Sequence, residues 1–135
     1  MQRTFTAFLA VAVLSAAAAL AADRPATTVP LRTQTLDGIP NKVADMLTVE
    51  YAPGQSTPAH RHNANVLVYV LEGAVVMGVQ GKEPVTVSAG QTFYESPADI
   101  HTVSRNASTT ERARFLVVLI HDQGASTMLP APAEK

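Results

Sequence analysis

Four histidines are the side chains of this sequence best suited to metal chemistry, and two of them form the triplet His60-Arg61-His62. The other two are His101 and His121. Side chains two apart on a β-strand point to the same face, so a strand here would set both imidazoles of the triplet side by side. Paired neutral imidazoles can chelate a divalent metal ion. On its own, the same triplet is also typical of a polar loop with two surface histidines.

The segments that would position these histidines have the pattern of short β-strands. Apolar runs alternate with turns that contain Gly or Pro, and no stretch between residues 43 and 121 has useful helical periodicity. The predicted strands cover residues 43–51, 66–71, 74–79, 84–87, 91–95, 100–104 and 113–121. Regular turn spacing between β-branched runs predicts an all-β sandwich or barrel.

Two stretches of the sequence resemble the two motifs of the cupin family. PGQSTPAHRHNANVLVYVLEG is similar to the first motif and GQTFYESPADIHTVSRNAS to the second. The positions in register are Gly54, His60, His62 and Gly73, and then Gly90 and His101. The resemblance covers about residues 43–121. It implies a single cupin barrel (a double-stranded β-helix, or jelly roll) whose metal ligands are His60, His62 and His101. The implied cofactor is a divalent metal ion: Fe, Mn, Zn or Ni.

The sequence departs from the first motif at Val66, where the family has a glutamate that binds the metal. Glu95 is a candidate to replace it, because strand alternation places Glu95 on the same face as Phe93, a face that is apolar and inward in the family pattern. We expect Glu95 to bind the metal, to support a ligand or to act in catalysis. The alternative is a carboxylate in water at the barrel mouth, or one hydrogen-bonded to Tyr94 or Tyr69.

The remaining inward positions are expected to be apolar. Alternation against the family pattern directs seven residues into the barrel: Leu47, Val49, Tyr51, Val75, Met77, Val79 and Phe93. Most are expected to be simple core, while Tyr51, Met77 and Phe93 are candidates to line a pocket for a small molecule. His121, at the end of the last predicted strand, is expected to be a surface residue rather than a ligand.

Residues 1–21 have the pattern of a secretory signal peptide. Arg3 provides the positive charge, residues 5–14 the apolar core, and Ala19 and Ala21 an A-x-A site with cleavage after Ala21. The alternative is an uncleaved anchor, but the apolar core is short for a membrane span. We therefore expect a periplasmic or extracellular protein without a stable membrane anchor.

The mature chain divides into a lead-in with the first strand (22–42), the barrel (43–121) and a C-terminal tail (122–135). Residues 23–30 are expected to be flexible and the tail after Gly124 irregular. The chain contains no cysteine, so its stability must come from a packed core, a metal ion or a partner subunit. We predict a homodimer in which residues 31–36 pair or exchange at a strand edge.

Composition limits the possible partners. The net charge is −1, no basic block is present and aromatic residues make up 5% of the chain, which argues against a nucleic-acid partner. The partner that we expect is therefore a small-molecule ligand. The first hypothesis is a dioxygenase-like or isomerase-like metal enzyme acting on a small organic substrate. The second is a non-catalytic module that binds metal or a small ligand, and the third is a barrel that no longer holds metal.

Overall fold

The computed structural model describes residues 25–132. The predicted signal peptide, with its cleavage site after Ala21, lies outside the described residues and stays a prediction. Within 25–132 the secondary structure is entirely β, so this part of the chain has no helix long and apolar enough to cross a membrane.

Eleven strands make up this described part of the chain. They are β1 (Thr27–Thr35), β2 (Lys42–Tyr51), β3 (Ser56–Thr57), β4 (His60–Arg61), β5 (Asn65–Glu72), β6 (Ala74–Val79), β7 (Val85–Ser88), β8 (Thr92–Glu95), β9 (Ile100–Asn106), β10 (Ala113–Asp122) and β11 (Leu129–Pro130). One sheet has the order β1-β2-β10-β5-β8, and the other has the order β11-β4-β9-β6-β7 with β3 paired to β9. The all-β barrel predicted from the sequence is confirmed.

The two sheets share one core because their strands alternate between buried and more exposed side chains. On β10 the buried positions are every second residue from Ala113 to His121, and on β5 they are Val66, Val68 and Val70. This period of two is the signature of strands with one face on the core. Burial of each such apolar side chain contributes about 1.5–3 kcal/mol.

A tight turn between β5 and β6 fixes the start of the second sheet. Gly73 has a φ of 70°, and a Cβ added there would lie 2.6 Å from the Arg112 carbonyl oxygen. Only glycine fits both constraints, which explains why the Glu-Gly turn of the first motif ends at this residue.

The seven predicted strands agree with the observed ones to within two residues at each end. All seven residues predicted to point inward are buried or packed against the core cluster. Tyr51, Val75, Met77 and Val79 are buried, while Leu47, Val49 and Phe93 are partly buried.

Both ends of the described part of the chain differ from the prediction. Residues 23–30 were expected to be a flexible lead-in, but β1 begins at Thr27 and pairs with β2 over its whole length. The tail after Gly124 was expected to be irregular, but β11 pairs with β4 through Leu129 and Arg61. In both cases unpaired backbone at a sheet edge gains hydrogen-bond partners, and this outweighs the low strand propensity of Pro-containing segments.

His121 is buried, contrary to the expectation that it lies on the surface. Its Nε2 atom lies 2.8 Å from Asp45 Oδ2, and its Nδ1 atom lies 2.9 Å from the Asp122 carbonyl oxygen. Asp45 also accepts a hydrogen bond from Thr33 Oγ1 at 2.6 Å, and these bonds hold the pKa of Asp45 below its ordinary value. The cluster links β1, β2 and β10, so His121 has a structural role in joining the edge strand to the barrel.

Candidate metal centre

Three of the four histidines converge at one end of the barrel. β4 pairs with β9 so that His60 lies directly opposite His101, and His62 follows two residues after His60. One ring nitrogen of each of the three histidines lies within 4.8 Å of a ring nitrogen of both of the others. His121 is not in this group. Three imidazoles grouped in this way could hold a divalent metal ion.

Backbone carbonyls fix the tautomers of two of these histidines. His60 Nδ1 lies 2.8 Å from the Pro58 carbonyl oxygen, and His62 Nδ1 lies 2.9 Å from the Thr127 carbonyl oxygen. A carbonyl oxygen can only accept, so each Nδ1 carries the proton and donates it. The Nε2 atom of each neutral ring is then a bare lone pair. Metal-binding histidines typically donate their other N–H in this way.

The two Nε2 lone pairs of His60 and His62 face each other at 3.1 Å. Two lone pairs cannot form a hydrogen bond with each other, and their dipoles repel. A cation between them would turn the repulsion into two coordinate bonds. The two nitrogens are therefore placed so that they could both bind one metal ion.

His101 and Glu95 form the second part of the site. His101 Nδ1 lies 3.2 Å from Glu95 Oε2, and both side chains are only 3% exposed. The contact is too poorly aligned to be a hydrogen bond, so both nitrogens of His101 and this oxygen are buried without a hydrogen-bond partner among the described residues. Buried polar atoms without partners are costly. A metal ion ligated by His101 would satisfy part of this deficit, so the residues present fit a metal.

Burial keeps the site close to neutral. It lowers the pKa of His101 to about 4, with further lowering by His60 and His62, and it also lowers the pKa of His62. It raises the pKa of Glu95 to about 7, with a smaller contribution from Asp99. At neutral pH His101 is therefore an uncharged imidazole, which is the form that binds metal. The contact between His101 and Glu95 is accordingly not a charged ion pair.

Glu95 enters the site beside the position where the family carries its glutamate. In the pairing of β5 with β8, Glu95 lies directly opposite Val66. Cross-strand partners have Cβ atoms about 4.5–5.5 Å apart. The chain therefore has a carboxyl group on β8, next to the position on β5 where the family has its glutamate. Glu95 is outside the group of three mutually close ligand atoms, and its Oε2 atom lies 3.2 Å from Nδ1 of His101.

The histidines line an open cavity of about 850 Å³. Of the predicted pocket residues, Tyr51 and Met77 line this cavity, but Phe93 does not. Phe93 instead packs against His101, with ring centroids 6.2 Å apart and an interplanar angle of 26°. The Phe93 ring therefore faces the His101 imidazole and not the cavity, and it packs against the histidine.

Three residues at the site were not identified from the sequence. Thr127 contributes a backbone carbonyl, which no side-chain pattern can reveal. Thr57 and Ser104 form hydrogen bonds with the Tyr51 hydroxyl at 2.6 and 2.7 Å. Tyr51, Thr57 and Ser104 all line the cavity. Hydroxyl residues are common on strands, so their types alone carried no signal.

Residues 47–119 match the family model described as the cupin domain. This match spans more than half of the chain, so the chain belongs to the cupin family. The resemblance found in the two sequence motifs is thereby confirmed at the level of the family. No curated protein sequence is significantly similar to the chain.

Solved structures share this fold. DMSP lyase DddQ from Ruegeria pomeroyi aligns over 82% of this chain and 54% of its own, with 18% identity and a TM-score of 0.63. Oxalate oxidase in complex with the substrate analogue glycolate aligns over 66% and 46%, with 25% identity and a TM-score of 0.55. A Cupin 2 conserved barrel domain protein from Salinispora arenicola aligns over 76% and 80%, with 20% identity and a TM-score of 0.57. The chain spans about half the length of the two enzymes.

Proposed function

We propose that this cupin binds a small organic molecule at a divalent metal ion held by His60, His62 and His101. One observation carries the proposal: two Nε2 lone pairs face each other at 3.1 Å beside the buried His101, whose nitrogens have no hydrogen-bond partner within residues 25–132. A metal ion bound by the three rings would remove the cost of both features. Iron, manganese, zinc and nickel all accept imidazole ligands.

We propose a catalytic role for this metal centre. Three protein ligands leave coordination positions open, which is typical of catalytic rather than structural metal sites. When bound, the ion would supply Lewis-acid chemistry, or redox chemistry if it is iron or manganese. The likeness to a DMSP lyase and to an oxalate oxidase supports an enzyme, and we favour a dioxygenase-like or isomerase-like reaction on a small organic substrate.

Glu95 is proposed to hold the Nδ1 side of the His101 ring, so that Nε2 of the same ring is free to bind the metal. Carboxylate–histidine–metal arrangements of this kind fix the orientation of the ring and raise its basicity. Among the described residues that line the cavity, Glu95 provides the carboxyl group. Its pKa of about 7 suits a group that takes a proton from a bound substrate near neutral pH.

A non-catalytic module that binds metal or a small ligand is the second candidate. The observation that favours it is Val66, buried and facing the cavity at the place where the family carries a metal-binding glutamate. Loss of that carboxylate lowers the negative charge available to the ion. It does not by itself remove the three-imidazole site.

The proposal is tested by measuring the metal content of freshly purified protein, followed by oxygen consumption with a panel of small organic acids and ketones. We expect one equivalent of metal in the parent and less than about a tenth of an equivalent in His62→Ala, because two imidazoles hold a divalent ion poorly. His121→Gln, a histidine outside the group, is the matched control and should keep its metal. Full metal occupancy in His62→Ala would refute the assignment of ligands. Bound iron with substrate-dependent oxygen uptake would favour an oxygenase, and tightly held zinc without turnover would favour the binding module.

We also propose that the protein is exported and that it functions in the periplasm or outside the cell. The basis is the signal pattern of residues 1–21 with its A-x-A site at Ala19 and Ala21. Expression of the full chain in a bacterial host should yield a mature form that begins at Ala22. Intact-mass spectrometry of the periplasmic fraction measures this directly, and a full-length chain retained in the membrane fraction would contradict it.

A further inference from the structure

We infer that residues 125–130 form a strap that is closed over the metal centre when the ion is bound and that opens to let the ion exchange. The inference rests on the proposed metal centre and adds how an ion enters and leaves it. It depends on three observations: how these residues are attached to the barrel, where they contact the site, and which hydrogen bonds are open to His62.

The strap is attached to the barrel through a short pairing. β11 pairs with β4 over two residues, Leu129 opposite Arg61 and Pro130 opposite His60, and it lies at the edge of its sheet. Pro130 has no N–H to donate to this pairing. None of the side chains of residues 125–130 is buried. A segment that buries so little apolar surface can open locally at a small cost in free energy.

The turn that precedes the strap provides a hinge. The Ala125 N–H donates to the Asp122 carbonyl oxygen at 3.0 Å, and Gly124 within this turn has a φ of 79°. Among the described residues outside its chain neighbours, no heavy atom lies within 4 Å of a Cβ added at Gly124, so the turn is not packed against the barrel there. Because β10 ends at Asp122, a rotation within this turn would move the strap and leave β10 in place.

The strap contacts the metal centre at Thr127. The Thr127 carbonyl oxygen accepts the hydrogen bond from His62 Nδ1 at 2.9 Å, and both Thr127 and Met128 line the cavity. Met128 is also 53% exposed, so it lies at the rim between the cavity and the solvent. Opening of the strap would therefore widen the entrance of the cavity and, in the same movement, remove the hydrogen-bond acceptor of a predicted metal ligand.

The neutral His62 ring couples the strap to the metal centre because its one N–H proton has two possible positions. With the proton on Nδ1, the bond to Thr127 forms and the Nε2 lone pair faces that of His60 at 3.1 Å. His60 keeps its own proton on Nδ1, bonded to the Pro58 carbonyl, so its Nε2 atom can only accept. With the proton on Nε2, His62 can donate to His60 instead, but the bond to Thr127 is lost.

Only the first of these two forms can bind a metal ion through Nε2 of His62. Ligation at Nε2 keeps the proton on Nδ1, so it also keeps the bond that holds the strap through Thr127. The metal-free protein reaches the second form as a minor state, in which that bond to the strap is absent. By linkage, the closed strap strengthens metal binding by the same factor by which the metal favours the closed strap.

The test locks the strap with an engineered disulfide, which is unambiguous in a chain without cysteine. Arg61→Cys combined with Leu129→Cys joins β4 to the strap at a cross-strand pair. The matched control is Leu67→Cys with Tyr94→Cys, a cross-strand pair of β5 and β8 whose two residues are exposed and do not line the cavity of the histidines. Each protein is compared in its oxidised and reduced forms and with the parent.

Stopped-flow measurements follow the uptake of zinc and its release to a chelator. The ion enters and leaves through the open form, so the oxidised strap variant should be about tenfold slower than its reduced form in both directions. The control disulfide should change neither rate. Equal rates in the two forms of the strap variant would overturn the inference. Slower release with unchanged uptake would also overturn it, because the strap would then only support His62 and would not control entry.

Hydrogen exchange of the unmodified protein tests the coupling without any substitution, and it decides the question if the strap variant does not fold. Mass spectrometry of peptides compares the backbone amides of residues 125–130 with those of β5, with and without zinc. Zinc should slow exchange in the strap by about fivefold or more, the usual size of such a coupling, and should change it less in β5. Exchange in the strap that does not respond to zinc would refute the coupling through His62.

The failure of this inference is distinct from failure of the proposed function. A parent protein that takes up no zinc refutes the metal centre, and with it the strap that depends on it. A parent that binds zinc, but whose exchange rates are the same with the strap locked and unlocked, keeps its metal centre and loses only the strap.

Discussion

At the scale of single residues, hydrogen bonds on the far side of the His60 and His62 rings leave both rings in the form that can bind a metal ion. The Pro58 and Thr127 carbonyls hold protons on the Nδ1 atoms of His60 and His62 and thereby leave each Nε2 as a lone pair. The His101 ring has Glu95 Oε2 at 3.2 Å from its Nδ1 atom, and Phe93 packs against it. Because Glu95 lies beside a predicted ligand, it is the residue whose change is most informative.

Glu95→Gln should weaken metal binding by about 10–100-fold, the usual effect of losing a group that orients a ligand. The charge that raises the basicity of the His101 ring is removed, while the size of the side chain is kept. Metal titration of the parent and the variant measures this, and Glu111→Gln on the exposed surface is the control. Equal affinity in all three proteins would show that Glu95 is a bystander at a plain three-histidine site.

The raised pKa of Glu95 predicts that the stability of the metal-free protein depends on pH, and Glu95→Gln tests this prediction. The pKa of Glu95 is raised to about 7 in the folded state, above the 4.5 of an ordinary glutamate. The unfolded chain therefore releases this proton first, and the metal-free parent should lose stability as pH rises from about 4.5 through about 7. Glu95→Gln removes that loss, so at pH 8 it should be more stable than the parent by about 3 kcal/mol, and near pH 4 the two should be alike.

Denaturant unfolding at pH 4, 6 and 8 in the presence of a chelator tests this dependence. A parent that is as stable as Glu95→Gln at pH 8 would contradict it. Chelation at pH 8 should also destabilise the parent more than the variant, because only the parent then buries a carboxylate without a partner.

At the scale of strands, the sequence predicted the regular elements and missed the irregular ones. The strand ending at Tyr51 and the one beginning at Ala113 alternate cleanly, so their limits and inward faces could be predicted from period two alone. The bulge at Thr102 could not be predicted, because it is defined by the pairing of β9 with β6 and has no signature in the sequence of β9 itself. Strict alternation from His101 would have directed Ser104 outward.

The candidate site shows the same division. The three histidines could be identified because the family motif fixes their spacing, and Glu95 because a carboxylate at an inward position is unusual. The Thr127 carbonyl could not be identified, because a backbone group leaves no residue signature. It depends on β11, a two-residue strand in a segment rich in Pro and Ala, where propensity indicates irregular chain.

The C-terminal segment is thus predicted to be part of the metal centre. Deletion of residues 125–135 would remove the acceptor of the His62 Nδ1 proton, and we expect metal affinity to fall by about 10–100-fold. Deletion of residues 132–135 keeps Thr127 and β11 and is the control. Metal titration and circular dichroism compare the two. A folded 125–135 deletion with the affinity of the parent would show that this segment does not support the site.

At the scale of the whole molecule, β1 is the feature that a single chain leaves unexplained. All nine of its residues are exposed, including Val29 and Leu31, and it lies at the edge of its sheet. An exposed edge with apolar side chains favours pairing with another chain. The predicted homodimer would cover this strand, which contains most of the segment 31–36 proposed for the contact.

Sedimentation velocity at tens of micromolar should therefore give a dimer for the parent and a monomer for Leu31→Glu. Ile39→Glu is the matched control, since Ile39 is equally exposed but lies in the turn before β2. A monomeric parent, or a dimer that persists in Leu31→Glu while Ile39→Glu dissociates, would contradict an interface at β1.

Three of the four histidines, and not His121, are predicted to hold a divalent metal ion, and nuclear magnetic resonance of the ring nitrogens can detect this ligation at each residue. With only four histidines in the chain, long-range proton–nitrogen spectra resolve each ring. We expect the metal-free protein to show Nδ1-protonated rings for His60 and His62. One equivalent of zinc should shift the Nε2 signals of both residues and one nitrogen of His101, and leave His121 unchanged. Unshifted Nε2 signals for His60 and His62, or a zinc-dependent shift at His121 instead, would contradict the assignment.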